Sequence, residues 1–171
     1  ELEGRLALRC PTLELRRDEP MSRHTSFHVG GPVRLMALPK TAGEAKAALL
    51  SAKELDLDPF FLGNGTNLLV PDRGAERFLI KPAGKYAVGS LNRVWEADGL
   101  LCAGAAVSLA NLAGCALGRS LTGLEFAQGI PGSVGGGVTM NAGAYGGELA
   151  QVLDSVTALD KAGCFTYSMR W

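Results

Sequence analysis

Residues 123–147 read GLEFAQGIPGSVGGGVTMNAGAYGG, and nine of them are glycine. Glycine has no Cβ atom, so a backbone rich in it can lie directly against a flat or anionic ligand, although ordering that backbone costs extra conformational entropy. The stretch also lacks the monotonous Gly-Ser composition of a flexible linker. We therefore predict that residues 123–147 form one wall of a ligand site.

The composition limits the class of protein. The chain has 171 residues, 47% of them hydrophobic, which is enough for a substantial core in one or two domains. Its 17 basic and 17 acidic residues cancel, so no overall field favours nucleic acid or an anionic membrane. No apolar run reaches the roughly 18 residues that span a bilayer, and residues 1–20 lack the apolar core of a signal peptide. We expect a cytoplasmic globular protein that binds neither nucleic acid nor a membrane.

Metal binding is not indicated by the cysteines or the histidines. His24 and His28 are four residues apart, but no third ligand is spaced near them. The cysteines form no CxxC pair and are scattered along the chain at Cys10, Cys102, Cys115 and Cys164. We predict reduced thiols and no metal site.

The first half of the chain has the pattern of a small α/β unit. A short strand is predicted at residues 31–39, and Thr41 and Glu44 fit a capping box that opens a helix ending near Asp56. Residues 59–62 and 77–81 then read as further strands. A subdomain boundary is predicted near residue 82, so that residues 1–82 form a first subdomain and residues 83–171 a second.

The second half has antiparallel signals. Asp98-Gly99 separates two apolar runs and predicts a two-residue hairpin over residues 92–103. Ser108 is placed to cap a helix with an apolar stripe. Residues 152–160 and 164–169 read as two strands joined through residues 161–163. Because the chain stops at Trp171 directly after a strand, we expect that the sequence was cut inside a larger protein.

Two separate loops suit an anionic ligand. In Gly63-Asn-Gly-Thr-Asn67, consecutive backbone N–H groups can form a concavity for phosphate oxygens, although an ordinary turn has the same composition. In residues 129–136, Pro131 lies near a helix start and Ser133 can cap it, which would leave the following N–H groups exposed. The 63–67 loop matches neither the Walker A motif nor the GxGxxG motif. Together they predict a two-part site for a long dinucleotide.

Three ordered motifs carry a resemblance to a known family. They are Thr25-Ser-Phe27 with Val29-Gly-Gly31, the run LGNGTNLLV from Leu62 to Val70 with Asp72, and the stretch from Gly123-Leu-Glu-Phe126 through Gly129-Ile-Pro-Gly132 to Met140-Asn-Ala-Gly-Ala-Tyr-Gly146. In order and spacing the chain resembles the UDP-N-acetylenolpyruvoylglucosamine reductases, flavoenzymes of peptidoglycan precursor synthesis and so of bacterial cell-wall biogenesis, on which cell shape and cell division depend. The last motif is the most specific of the three.

The resemblance implies an α+β, two-subdomain FAD-binding fold of the vanillyl-alcohol-oxidase (PCMH) type. Its parts would be a small βαβ subdomain and a larger, mainly antiparallel sheet subdomain with helices, with FAD between them. It also implies a cofactor site in which Gly63, Asn64, Gly65, Thr66 and Asn67 hold the pyrophosphate, Gly129, Ile130, Pro131, Gly132, Ser133 and Gly136 line the isoalloxazine and the ribityl chain, and Asn141, Ala142, Gly143 and Tyr145 complete the wall. Thr66 stands where serine is more common in the family, a change that keeps the hydroxyl.

The resemblance further implies the reaction. NADPH reduces FAD, which then reduces the enolpyruvyl ether of a UDP-sugar to give UDP-N-acetylmuramate. The family's catalytic arginine, serine acid and glutamate match no residue of this chain, so we expect them beyond Trp171, in part within a substrate-binding third domain that this chain lacks. Arg170 does not fit the family's Tyr-Arg-x-Ser segment. We expect a monomer in the full-length form.

Other readings stay open at this point. The chain could belong to another FAD-linked oxidase or dehydrogenase of the same fold, or it could be a flavin-binding module without catalysis of its own. Tyr145 could reach flavin or substrate, or it could fill a groove between the subdomains. Glu125 is interpreted as structural, fixing the approach to the loop that follows it.

Overall fold

A four-stranded sheet lies at the centre of the first half of the chain. The computed structural model describes residues 1–82, 89–159 and 164–168. The sheet has the order β1-β2-β4-β3 and consists of β1 (Glu14–Pro20), β2 (Pro32–Leu38), β3 (Phe60–Phe61) and β4 (Ala75–Ile80). Strand β4 pairs in parallel with both β2 and β3, whereas β1 pairs antiparallel with β2 at the edge. The parallel part agrees with the α/β pattern predicted from sequence.

Two helices cover one face of this sheet: α1 (Leu2–Arg9) and α2 (Ala42–Lys53). They enclose a first hydrophobic cluster that contains Leu6, Leu13, Leu35, Ala37, Ala48, Leu49, Ala52, Phe78 and Ile80. The predicted cap of α2 is present, since Thr41 Oγ1 accepts a hydrogen bond of 3.1 Å from the Glu44 N–H. Glu44 in turn accepts from the Lys40 N–H. The helix ends at Lys53 rather than near Asp56, where the backbone turns with a φ of +53°.

A second hydrophobic cluster lies on the opposite face of the sheet. Its buried members are Met21, Val33, Met36, Leu38, Leu62, Val70 and Leu79. Side chains alternate between the faces along β4, with Phe78 and Ile80 in the first cluster and Leu79 in the second. Because Leu62 and Val70 belong to this second cluster, the loop between them is anchored at both ends.

The described part of the second half contains two α-helices and three antiparallel pairs of strands. The helices are α3 (Leu109–Leu117) and α4 (Val134–Met140), and the strands are β5 (Val94–Ala97), β6 (Leu100–Ala103), β7 (Gly143–Ala144), β8 (Gly147–Glu148), β9 (Ser155–Leu159) and β10 (Cys164–Ser168). Short 3-10 helices span residues 21–23, 89–92, 125–129 and 149–151. The antiparallel strands pair as β5-β6, β7-β8 and β9-β10, so within the described residues they form three two-stranded ladders rather than one larger sheet.

Several local predictions for this half are confirmed. Asp98 and Gly99 both have positive φ at the turn between β5 and β6, as a two-residue hairpin requires. Ser108 caps α3 by accepting from the Asn111 N–H at 3.1 Å. The predicted turn at residues 161–163 lies outside the described residues.

A third hydrophobic cluster holds α3 to the glycine-rich stretch. Its buried members are Leu109, Ala113, Phe126, Ala127 and Leu149. The last hairpin returns toward the first half, because Leu159 at the end of β9 packs against the first cluster. The two halves of the chain are therefore in contact at the α1 side of the sheet as well as through their loops.

Much of the glycine in residues 123–147 serves packing within the protein. A Cβ atom built on Gly137 would lie 2.9 Å from Leu149 Cδ1, and one on Gly147 would lie 2.7 Å from Phe126 Cδ1. Such distances leave no room for a side chain without movement of the neighbours. These glycines let α4 and the β7-β8 hairpin pack closely against the third cluster.

We expect Gly147→Ala to lower the free energy of unfolding by about 1–3 kcal/mol, because the added methyl group would overlap the Phe126 ring. Gly129→Ala is the matched control: no atom lies within 4 Å of its Cβ position, so a change within about 0.5 kcal/mol is expected. Urea denaturation of both variants without added ligand measures the difference. Equal stability of the two would show that Gly147 is not required for packing.

Candidate functional site

The loop Gly63–Asn67 follows β3 at the carboxyl ends of the parallel strands. The Leu62 N–H donates to the Ile80 carbonyl at 3.0 Å and fixes the start of the loop. Gly65 has a φ of +67°, and a Cβ atom there would lie 2.0 Å from the carbonyl oxygen of His24. The Gly65 carbonyl accepts from the Ser26 N–H at 3.1 Å. The loop therefore rests on residues 24–26, which overlap the start of the first sequence motif at Thr25 and Ser26.

The backbone N–H groups of this loop are the feature that suits it to an anionic ligand. Within the part of the chain that the structure describes, none of the five N–H groups of residues 63–67 donates a hydrogen bond to another group. Consecutive free N–H groups in a glycine-containing loop form a concavity that binds phosphate oxygens. Asn64 and Asn67 are exposed, so their amide groups are also accessible. The chemistry of the loop fits an anion.

The second loop differs from the sequence prediction in one respect. Ser133 is buried and caps α4, as predicted, by accepting from the Gly136 N–H at 3.3 Å. The Val134 and Gly135 N–H groups are not exposed for an anion, however, because they donate to the carbonyls of Val107 and Ala105 at 2.7 and 2.9 Å. The expectation of free amides at this helix start is therefore wrong. Residues 105–107 occupy them.

The structure brings the two predicted loops together. A Cβ atom on Gly63 would lie 2.7 Å from Ser133 Oγ, and one on Gly132 would lie 4.0 Å from Thr66 Oγ1. A narrow crevice at this junction is lined by Gly63, Asn64, Pro82, Ala105, Ala106 and Ser133. The two loops therefore lie side by side, and the N–H groups without a partner among the described residues belong to the 63–67 loop.

The remaining predicted cofactor residues lie at the other end of α4. With seven residues at 1.5 Å each, α4 places its ends about 10 Å apart. Asn141 ends the helix in the left-handed conformation, and its Oδ1 accepts from the Ala150 N–H at 2.9 Å. Ala142 packs against the third cluster, as does Ile130. These contacts fix the chain beyond the helix, and Gly143 follows in β7.

Tyr145 is at the tip of the β7-β8 hairpin. Its φ is +54°, that of Gly146 is +84°, and the Tyr145 side chain is 98% exposed. It does not fill a groove between two parts of the protein, so that alternative is wrong. Beside it is a shallow depression lined by Gly123, Glu125, Phe126, Tyr145 and Gly147. A solvent-exposed phenol on a left-handed backbone is available to a ligand or to another part of a larger protein.

Glu125 has the structural role that the sequence suggested. Its Oε2 accepts from the Gly123 N–H at 2.8 Å, which fixes the backbone at the start of the glycine-rich stretch. Gly123 itself has a φ of +103°. The carboxylate therefore stabilises a turn that few residues other than glycine adopt.

A cluster of charged and polar side chains next to the 63–67 loop was not predicted from sequence. Lys81 Nζ lies 3.1 Å from His24 Nδ1, and His24 Nε2 lies 2.9 Å from Glu19 Oε1. Glu19 also accepts from Arg16 at 3.3 Å. When Lys81 is an ammonium group it can only donate, so in that state His24 Nδ1 is the acceptor, and the neutral His24 ring carries its proton on Nε2 and donates to Glu19.

The pKa shifts of His24, Lys81 and Glu19 are consistent with a neutral His24 ring between Lys81 and Glu19. Burial lowers the pKa of His24, opposed by the hydrogen bond to Glu19 and aided by the charge of Lys81. Burial also lowers the pKa of Lys81, and the positive charge of Arg16 adds to that effect. For Glu19, burial alone would raise the pKa, but the hydrogen bonds from His24 and Arg16 together lower it. The neutral form of His24 is therefore favoured in the folded protein.

Metal binding and membrane spanning find no support among the described residues. Residues 1–82, 89–159 and 164–168 hold no group of three or more His, Cys, Asp or Glu side chains arranged for a metal ion. No helix in the same residues has the length and apolar character needed to cross a membrane. The ring nitrogens of His24 instead form hydrogen bonds with Glu19 and Lys81.

Comparison with known proteins agrees with this geometry. The family model for the FAD binding domain matches residues 33–166. The UDP-N-acetylenolpyruvoylglucosamine reductase of Alkaliphilus oremlandii is 41% identical over 150 residues, which are 88% of this chain and 48% of the relative. The reductase of Clostridium tetani is 42% identical over 149 residues, 87% of this chain and 47% of the relative. The chain thus spans about half the length of the curated relatives it matches.

Solved structures confirm the fold class. The UDP-N-acetylenolpyruvylglucosamine reductase of Thermus caldophilus superposes with a TM-score of 0.73 at 31% identity, covering 92% of this chain and 53% of that one. A solvent-stable cholesterol oxidase superposes with a TM-score of 0.69 at 15% identity, covering 94% of this chain and 34% of that one, and shows the shared fold alone. The predicted α+β fold of the PCMH type and its FAD cofactor are confirmed. The chain belongs to the FAD-binding domain family, and it resembles the FAD-binding part of the UDP-N-acetylenolpyruvoylglucosamine reductases.

Proposed function

We propose that this chain is the FAD-binding part of an NADPH-dependent reductase that converts the enolpyruvyl ether of UDP-N-acetylglucosamine to UDP-N-acetylmuramate. The observation that carries the proposal is the loop Gly63–Asn67, whose N–H groups have no partner among the described residues and whose first two residues line a crevice together with Ser133 of the second loop. The same loop lies within a chain that is 41–42% identical to reductases of this name. The geometry supports an anionic cofactor, and the relatives supply the substrate class.

The residues present fit FAD. Gly65 adopts a left-handed backbone within this loop, and the N–H groups of residues 63–67, which have no partner among the described residues, would hold the pyrophosphate. The second loop, residues 129–133 with Gly136, would line the ribityl chain and the isoalloxazine ring. Its own first amides are paired within the protein, so it would contribute shape rather than charge. Asn141, Ala142, Gly143 and Tyr145 would complete the wall at the far end of α4.

FAD would supply the hydride chemistry, and this chain would bind and orient it. Ser133 of the second loop is buried, and its bridge to Ser108 holds this loop against the start of α3. Gly63 packs against Ser133, so the two loops hold each other at a fixed separation. A cofactor bound across them would be positioned by backbone rather than by flexible side chains.

The catalytic acid, the arginine and the glutamate of the family are assigned to no residue of this chain. We propose that they are supplied by the remainder of the protein, as is the binding of the UDP-sugar and of NADPH. The division into subdomains at residue 82, the cytoplasmic location and a monomeric full-length protein stay predictions.

Gly132→Val is expected to weaken FAD binding at least about tenfold. The Cβ position at Gly132 is 3.5 Å from Leu109 Cδ1 and 4.0 Å from Thr66 Oγ1, so the branches of valine would enter the space between the two loops. Titration of the purified protein with FAD, followed by quenching of flavin fluorescence, measures the dissociation constant.

Gly114→Val in α3 serves as the control, because no atom lies within 4 Å of its Cβ position and it is exposed. It should leave FAD affinity unchanged. Equal affinity of wild type and Gly132→Val would contradict the proposed position of the cofactor. A wild-type protein that takes up no FAD and shows no flavin absorbance would overturn the proposal itself.

The full-length protein should oxidise NADPH only when the enolpyruvyl ether of UDP-N-acetylglucosamine is present. Loss of NADPH absorbance with and without that compound measures this dependence. Turnover with an unrelated alcohol or sterol instead would favour another FAD-linked oxidase of the same fold. Bound FAD with no turnover on any of them would favour a flavin-binding module.

A further inference from the structure

Lys81 is a lysine beside the 63–67 loop whose charge has no direct anionic partner among the described residues. Its side chain is half-buried, and its Nζ contacts the neutral ring of His24. Among the described residues, no carboxylate oxygen lies within salt-bridge distance of this nitrogen. A partly desolvated ammonium without an anionic partner is costly, and a bound anion would offset that cost.

The backbone places Lys81 on the side of the sheet that faces the loop. The Lys81 N–H donates to the Ala37 carbonyl at 2.9 Å and so continues the pairing of β4 with β2. By the alternation of strand side chains, Lys81 shares a face with Leu79, which belongs to the second cluster together with Leu62. The next residue, Pro82, lines the crevice beside Gly63 and Asn64.

His24 links Lys81 to the same loop. The carbonyl of His24 lies against Gly65, and its ring accepts from Lys81. The ring is held in place from its other side by Glu19, which is 7% exposed. His24 therefore contacts the 63–67 loop through its backbone carbonyl, and it contacts the Lys81 ammonium group through its side chain.

We propose that Lys81, oriented by His24 and Glu19, is a cofactor-binding residue that neutralises the pyrophosphate of FAD held by the loop Gly63–Asn67. The inference rests on the proposed function. It adds a cation to a site whose predicted members are glycines and uncharged side chains. A pyrophosphate diester carries two negative charges, and backbone N–H groups supply only partial positive charge to meet them.

The test is FAD affinity of the full-length protein with Lys81→Gln, which removes the charge but keeps a donor for His24. A hydrogen bond to a charged group contributes about 1.5–3 kcal/mol, so the dissociation constant should rise about 10- to 100-fold. Lys81→Arg restores the charge and should recover most of the affinity. The salt dependence of FAD binding should also be weaker in Lys81→Gln than in wild type, because one ionic contact is lost.

Riboflavin, which lacks the pyrophosphate, separates binding from structure. Its affinity should change less than about twofold in Lys81→Gln, whereas a general loosening of the site would weaken riboflavin and FAD alike. Lys46→Met removes an exposed lysine from α2 on the opposite face of the sheet and should change neither affinity. Thermal unfolding of Lys81→Gln and of Lys81→Met shows whether a loss of FAD affinity comes from misfolding.

The inference is overturned if Lys81→Gln binds FAD within about twofold of wild type, or if riboflavin loses affinity by the same factor as FAD. A loss of thermal stability with unchanged FAD affinity in the folded protein would also overturn it and leave a structural role. These outcomes differ from failure of the proposed function, in which the wild-type protein itself would bind no FAD.

Discussion

The left-handed backbone of Gly65, seated on the carbonyl of His24, is the constraint on which the site depends. Many loops are held in place by hydrogen bonds that their own N–H groups donate. This loop is held instead by the Gly65 carbonyl, which accepts from the Ser26 N–H, and by the buried side chains of Leu62 and Val70 on either side of it. The N–H groups of residues 63–67 are left without partners in the described part of the chain. Because unpaired N–H groups need water or a ligand, holding them together favours an anion over scattered water molecules.

Glycine in the stretch 123–147 can serve either packing within the protein or close approach of a ligand, and composition alone does not separate these two roles. At Gly137 and Gly147 a side chain is excluded by Leu149 and Phe126, so these glycines are needed for the protein's own packing. Gly129 has open space around its Cβ position, and at Gly132 a Cβ would make only ordinary contacts. Packing therefore accounts for Gly137 and Gly147, and the ligand wall stays a prediction for this stretch.

Local signals gave the predictable part of the fold. Thr41, Ser108 and Ser133 each cap the helix that follows, and Asp98-Gly99 forms the predicted turn, because these effects involve residues within a few positions of one another. Long-range pairings were not predictable in this way. Residues 105–107 take the first amides of α4, and Lys81 meets His24 across 57 positions. Strand β1 was missed because charged residues fill most of its sequence, ELRRDEP, and leave no apolar alternation. Helix α1 was missed although Leu2 and Leu6 have helical spacing and pack in the first cluster.

The missed strand β1 has a consequence for the site. From the edge of the sheet inward, Arg16 donates to Glu19, Glu19 accepts from His24, and His24 accepts from Lys81. Arg16 already offsets the charge of Glu19, and the neutral ring of His24 separates that carboxylate from Lys81. The ammonium group is therefore oriented by an anion without being neutralised by direct contact with it. If Lys81 paired directly with Glu19, its position would be fixed, but its positive charge would be neutralised by the carboxylate. His24 keeps the two charges apart while it orients Lys81. This separation is what suits the cluster to binding an anion.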